Sequence, residues 1–302
     1  MRRALITGAA GQDGTYLSEL LLDRGYAVSG LSRGDIDILD QHALADALRE
    51  HEPHELYNLA SPSFVPRSWE SPIETAEFAA VGVTALLEAV RAVDPSIRVY
   101  QASSSEIFGE PAEIPQTELT PLSPVTPYGV AKAYGHFIVR SYRRRYGLHA
   151  SCGILYNHES PRRLLDFLPS KVAHAAAAIS LGRERELVLG DLDAQRDWGF
   201  AGDYVEAMWL MLQQDDPNDY VIASGELHSV QELVELAFRH VGLDWHGHVR
   251  IDDALKRGTA ELHHLVGDST KAREKLGWEP RVRFDELVPL LVDAARVRLT
   301  SS

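Results

Sequence analysis

The chain has 302 residues, 45% of them hydrophobic and 25% charged, enough to bury a sizeable core as one large domain or as two that share one. Its formal net charge of −14 argues against general affinity for the phosphate backbone of nucleic acid, and its single cysteine, Cys152, excludes an intramolecular disulfide and a multi-cysteine metal site. No apolar run reaches membrane-spanning length, and the opening MRRALITGAAG is too short and glycine-broken for a signal-peptide core, so a cytoplasmic protein is expected.

In chain order, RALIT at Arg3 to Thr7 reads as a short buried strand. Gly8, Gly11 and Gly14 follow, and an apolar-periodic helix then runs through Tyr16, Leu17, Leu20 and Leu21. Strand, glycine turn and helix stand in the order a dinucleotide site needs, because glycines permit a sharp turn and let a pyrophosphate approach the backbone N–H groups at the helix N-terminus. The glycine spacing alone would suit an ordinary turn equally well. Ala27 to Leu31 is expected as the second strand, ending in Ser32 and Arg33 where an NAD-selective site carries an acid for the ribose hydroxyls. A cation there suits a 2′-phosphate and favours NADP, while the nearby Asp35 keeps NAD open. Asp37 to Leu39 reads as a third strand, Asp40 to Glu50 as a helix, Leu56 to Leu59 as a fourth strand and Ile73 to Val93 as a long helix. Such alternation implies a parallel sheet covered on both faces.

The fifth strand, Arg98 to Ala102, delivers SSSEIFGE at its C-terminal end, where open α/β sheets place their chemistry. One loop later, TPYGVAK holds Tyr128 and Lys132 four residues apart and so on one face of a helix. A lysine cation near a phenol is expected to lower the phenol's pKa from its free value of about 10; the bland alternative is packing plus a solvated charge. Ser151 to Leu155 makes the sixth strand, with Cys152 as a buried small side chain. Beyond it, NHESPRR at Asn157 to Arg163 reads as an irregular polar loop, and Leu187 to Trp198 holds another strand-like piece and Arg196. The arginines of these loops either face solvent or form a clamp for a diphosphate, whose geometry guanidinium matches. His263 and His264 are adjacent and lack metal-ligand spacing, so no metal is assigned. The strand-like YVIAS at Tyr220 to Ser224 predicts that the chain crosses back to the sheet, and Val230 to Arg239 and Asp285 to Arg298 read as helices. The expected fold is a Rossmann-type doubly wound parallel sheet from residues 1–156 plus about 198–224. A smaller C-terminal α/β substrate domain would use 157–197 and 225–302.

With TGAAGQDG, SSSE, YGVAK, NHESPRR and RDWG in hand, the chain resembles the extended short-chain dehydrogenase/reductase superfamily, specifically its GDP-mannose 4,6-dehydratases. LYNLA, SWESP, MLQQ and KLGWEP extend the resemblance over nearly the whole length. It implies a hydro-lyase that converts GDP-mannose, or a close GDP-sugar such as a GDP-heptose, to the 4-keto-6-deoxy sugar by internal hydride transfer through NADP. The implied catalytic residues are Ser104, Glu106, Tyr128 and Lys132. The implied cofactor contacts come from Gly8, Gly11, Gln12, Asp13, Gly14, Arg33, Asp37 and Leu59 as well as Tyr128 and Lys132, and those to the sugar nucleotide from Ser63, Asn157, Glu159, Arg162, Lys171 and Arg196. Three departures stand out. The family's longer, arginine- and serine-rich insertion after the second strand is missing, which points to a homodimer through the helices around 73–93 and 127–146 and leaves a tetramer open. Ser61, Pro62 and Ser63 replace the family's alanine-glutamine-serine, and its RPAE segment is present only as RGTAE at Arg257 to Glu261. The short connection also resembles that of NADPH-dependent GDP-4-keto-6-deoxymannose reductases, the rival enzymatic reading. A cofactor-sensing protein without turnover would have no need of Ser104, Glu106, Tyr128 and Lys132 together.

Overall fold

The computed structural model describes residues 1–255 and 265–301. His263, His264 and the RGTAE segment lie outside them. The first half builds strictly in βα units: β1 (Arg3–Thr7), α1 (Gln12–Asp23), β2 (Ala27–Leu31), α2 (Gln41–His51) and β3 (Glu55–Asn58). After α3 (Arg67–Glu70), a longer helical run is made of α4 (Pro72–Ala76), one π turn at Glu77–Val81 and α5 (Gly82–Val93). It leads into β4 (Arg98–Ala102), α6 (Pro127–Tyr146) and β5 (Ala150–Leu155). All six residues of β5 are buried, as a strand covered on both faces must be. Cys152 lies within it and is inaccessible to solvent.

The expected third strand at Asp37 to Leu39 does not form. Leu39 N donates to the Asp37 side chain at 3.0 Å and Asp40 N to the Asp37 carbonyl at 3.0 Å, so this stretch is a turn that leads into the Asp40 cap of α2. Ile38 is buried there because it packs against α5 at Gly82, where an added Cβ would lie 2.9 Å from Ile38 Cδ1. The one buried residue of this stretch is an anchor under a helix.

The second half weaves between two packing centres. β6 (Asn157–Glu159), α7 (Leu168–Ser180), β7 (Leu187–Leu189), β8 (Gln195–Arg196) and β9 (Trp198–Phe200) lead to α8 (Ala201–Gln213) and β10 (Asp219–Ile222). The remainder is β11 (His228–Ser229), α9 (Val230–His240), β12 (Val249–Ile251), α10 (Thr270–Leu276) and α11 (Phe284–Ser301). Among the described residues the main sheet has six strands in the order β10-β5-β4-β3-β1-β2, all parallel. This is a Rossmann-type doubly wound sheet, with β10 added beside β5. The outer edge of β10 is blunted by Glu118, whose carboxylate accepts Val221 N at 2.7 Å.

Helices α7, α9 and α11 pack around Trp198, Phe238 and Leu291 in a second apolar core. Ala272, Leu276 and Trp278, which fall within the C-terminal stretch, join the sheet core with Tyr204 and Met208 of α8 instead. The Asp203 carboxylate anchors that return by accepting Arg281 N at 2.8 Å and Val282 N at 2.9 Å. No described helix is long and apolar enough to cross a membrane.

Candidate active site

The C-terminal ends of the sheet strands are aligned by a buried polar ladder. Thr7 donates to Asn58 at 2.6 Å, Asn58 to Gln101 at 2.7 Å, and Gln101 to the Ala102 carbonyl at 3.1 Å. With every polar group paired, the ladder fixes the loops that follow β1, β3 and β4. Those loops border a cleft of about 1060 Å3, whose other wall is built from β6, α7 and the β8–β9 region.

The glycine turn forms one end. At Gly14 an added Cβ would lie 2.5 Å from the Gly8 carbonyl oxygen and 2.6 Å from Ala9 Cα, so only glycine lets α1 begin this close to the turn. The result is a helix N-terminus open to an anion, and the chain therefore fits a dinucleotide on its own geometry. Gln12 and Asp13 stand in its first turn.

At the centre, Ser104 caps a short 3-10 turn, its hydroxyl accepting Glu106 N at 3.3 Å. Thr126 caps α6 through Gly129 N at 3.0 Å, with Pro127 in the first turn. Gly129 is required by close approach, since a Cβ there would meet the Glu106 carbonyl at 2.5 Å. The helix carrying Tyr128 and Lys132 is thereby seated against the loop carrying Ser104 and Glu106. Tyr128 and Lys132 are both buried, with Lys132 Nζ 5.6 Å from the phenol ring centre and donating to the Ala102 carbonyl at 3.0 Å.

The electrostatics depart from the expectation that lysine lowers the phenol. Burial pushes Tyr128 up to about 12, a hydrogen bond with Ser104 pulls the other way, and the charge of Glu106 pushes it further up. Burial likewise lowers Lys132 to about 8, with the charge of Asp13 opposing. Desolvation outweighs the neighbour's charge in the chain alone.

The cleft brings together Gly8, Gly11, Gln12, Asp13, Gly14 and Leu59 with Ser63, Ser104, Glu106, Tyr128 and Lys132, and with Asn157, Glu159, Lys171 and Arg196. Three sequence candidates lie elsewhere. Arg162 turns outward, pairing with Glu19 at 2.8 Å and covering the Tyr16 ring at 4.0 Å. Arg163 lines the cleft in its place, lying 3.5 Å over the Phe167 ring and 3.3 Å from the buried Glu159, whose carboxyl burial pushes up. Arg33 and Asp37 sit beyond the cleft walls, past the end of β2. There Arg33 pairs with Glu74 at 3.4 Å and lies 5.3 Å over the Phe78 ring. Asp35 is committed to its own turn, accepting Ser32 N at 2.7 Å.

The segment that reads as an irregular loop contains a strand, β6, paired in parallel with β9. Its central residue, His158, is a cleft residue that no spacing rule points to. Its Nε2 lies 2.9 Å from Asp13, and its ring stacks on Tyr204 at 4.8 Å. Among the described residues one buried trio, His136, Cys152 and Asp219, brings possible metal-ligand atoms within 4.8 Å of one another. Asp219 is already paired with Arg143 and Arg140, and burial pushes the Cys152 thiol up, so the donor set does not suit a cation.

The family model for GDP-mannose 4,6 dehydratase matches residues 5–36 and 33–291, its two pieces meeting where the connection after β2 is short. GDP-mannose 4,6 dehydratase 1 of Arabidopsis thaliana is 45% identical over an alignment of 321 residues, covering 96% of this chain and 88% of the relative. The human GDP-mannose 4,6 dehydratase is 44% identical over 337 residues, covering 96% and 90%. Among solved structures, DesIV, a dTDP-glucose 4,6-dehydratase from Streptomyces venezuelae with NAD and TYD bound, superposes with a TM-score of 0.87 at 25% identity, covering 99% of this chain and 98% of that one. RMD from Pseudomonas aeruginosa complexed with NADPH gives 0.90 at 23% identity, covering 99% and 100%, a likeness of fold.

Proposed function

The chain belongs to the GDP-mannose 4,6-dehydratase family, and from that premise we propose that it is a hydro-lyase converting GDP-mannose, or a close GDP-sugar such as a GDP-heptose, to the 4-keto-6-deoxy sugar with loss of water. The observation that carries the reading is the convergence of Ser104, Glu106, Tyr128 and Lys132 on one cleft beside the glycine turn. NADP, when bound, supplies a hydride acceptor for the sugar's C4 and then a hydride donor for its C6. Arg33 at the end of β2, with Asp35 held in its own turn, supports NADP over NAD.

Tyr128 takes the proton of the 4-hydroxyl, and Ser104, hydrogen-bonded to the phenol, steadies the same oxygen. Lys132, anchored on Ala102, holds its cation over the phenol. Once the sugar carries a 4-ketone its C5 proton is acidic; Glu106 removes it and returns it to the departing 6-hydroxyl, and C5 regains a proton when C6 is reduced, which balances the one that Tyr128 took from the 4-hydroxyl. A single carboxyl group serves both steps because it can give back the proton it takes. Ser63, Asn157, Glu159, Lys171 and Arg196 face the sugar nucleotide, and Arg163 takes the diphosphate role that the sequence suggests for Arg162. Residues 1–156 and 198–224 carry the cofactor, with 157–197 and most of 225–302 forming the substrate lobe; the 272–278 stretch goes with the sheet.

A homodimer is supported by apolar side chains that α6 and the 72–93 run expose, with Phe137 and Val130 from the one and Ile73 and Val81 from the other. This face is distinct from the one holding Tyr128 and Lys132. Cytoplasmic residence accords with this solution chemistry. The test is mass spectrometry after incubation with GDP-mannose and catalytic NADP+, no reductant added. Loss of one water without net cofactor reduction is expected, whereas turnover only of the 4-keto-6-deoxy sugar with stoichiometric NADPH would move the assignment to the reductase. Tyr128→Phe should keep dinucleotide binding and lose turnover; retained turnover would sink the mechanism.

A further inference from the structure

Asp13 raises a problem for an anion-binding turn. A carboxylate in the first turn of α1 suits the helix dipole but opposes a second negative charge at the same N-terminus. The structure answers with His158, whose Nε2 faces Asp13 Oδ2 at 2.9 Å and whose Nδ1 faces the Tyr156 carbonyl at 2.8 Å. Both partners are acceptors, so the ring meets them fully only with a proton on each nitrogen, as an imidazolium. Only 12% of the His158 side chain and 20% of Asp13 are exposed. Gln12 binds the pair from the side, its amide donating to Asp13 Oδ1 and to the His158 carbonyl, each at 3.1 Å, while it accepts from Ser160 at 2.8 Å. The first turn of α1 is thus stitched to β6.

We propose that His158 and Asp13 form an imidazolium–carboxylate latch between the cofactor turn and the substrate strand, in which His158 is a positioning residue that neutralises Asp13 so that the turn accepts a dinucleotide diphosphate. This rests on the reading of the glycine turn as the NADP site. Other charged and titratable groups surround the pair. Arg163 and Glu159 belong to the β6 segment, Tyr204 of α8 stacks on the imidazole, and Tyr128 and Lys132 of α6 feel the charge of Asp13. Burial disfavours the charge on His158, but Asp13 outweighs it and holds the imidazole above its ordinary value; for Asp13 burial is likewise outweighed by His158, and the carboxyl is held below.

NADP+ affinity of the full chain, measured by calorimetry for wild type, His158→Gln, Asp13→Asn and the double variant, tests the latch. His158→Gln leaves the carboxylate uncompensated and should weaken NADP+ about tenfold or more at neutral pH. The double variant removes both charges and should recover to within about threefold of wild type. A His158→Gln chain that binds as wild type does, or a double variant as weak as it, would overturn the proposal. Should His158→Gln not fold, histidine-selective 15N NMR of the wild type decides: a doubly protonated His158 ring at pH 7.5 is expected, and a neutral tautomer refutes it. Failure of the NADP reading itself would show differently, as a wild type that does not bind NADP+.

Discussion

Lys132→Met should make the protein more stable while destroying its activity. Burial takes the Lys132 ammonium from 10.5 to about 8, a figure that already includes the attraction of Asp13. At about 1.4 kcal/mol for each tenfold change in the proton equilibrium, keeping that charge in the folded state costs about 3 kcal/mol near neutral pH. Methionine is of similar length, packs readily in irregular space and carries no charge. It gives up the ammonium's bond to the Ala102 carbonyl, worth about 2 kcal/mol, leaving a net gain of about 1 kcal/mol. The pH dependence has a definite sign. Between about 8 and 10.5 the unfolded lysine binds more protons than the folded one, so wild-type stability from this group rises with pH across that window. The advantage of the variant is therefore full below about 8 and disappears towards 10.5. Urea unfolding of cofactor-free wild type and variant from pH 6.5 to 10 measures both. A variant less stable than wild type at pH 7, or a difference that does not change with pH, would refute the claim that desolvation dominates at this site.

The glycine turn should respond in proportion to how close a new methyl comes. Gly14→Ala sets a Cβ 2.5 Å from backbone oxygen and should weaken NADP+ binding by about tenfold or more, whereas Gly11→Ala, at 3.3 Å from its nearest neighbour, should do so several-fold less in the same titration. Asp203→Ala leaves the part-buried N–H groups of Arg281 and Val282 without their acceptor and should cost about 1–2 kcal/mol in urea unfolding. Phe137→Glu places a charge on a half-exposed apolar face and should shift a dimer to monomer by light scattering, with the fold intact by circular dichroism.

What the sequence makes legible is local. The glycine turn and its flanking elements, and the Tyr128–Lys132 spacing on α6, are short-range patterns whose physics is complete within one or two elements, and the structure forms them as expected. The segment around Ile38 misleads because burial under a distant helix leaves the same apolar mark as a strand. The choice between Arg162 and Arg163 turns on which way a loop residue points, and no periodicity sets that direction. The phenol fails the expectation because a sequence shows its neighbour but not the water it has lost. His158 and Asp13 are 145 positions apart, joined only by the closure of β6 on α1.

The place of β10 at the edge of the sheet has a consequence for biosynthesis. By the time a ribosome has made Leu155, five of the six main-sheet strands exist, but β5 has no neighbour on its outer side until Asp219–Ile222 emerges. In between come β6, α7 and the short strands that belong to the other packing centre. For a time on the order of several seconds of translation, the outer edge of a strand that is buried in the finished fold waits unpaired. That edge gains its partner late, and a truncation at the end of β5 would keep it permanently open.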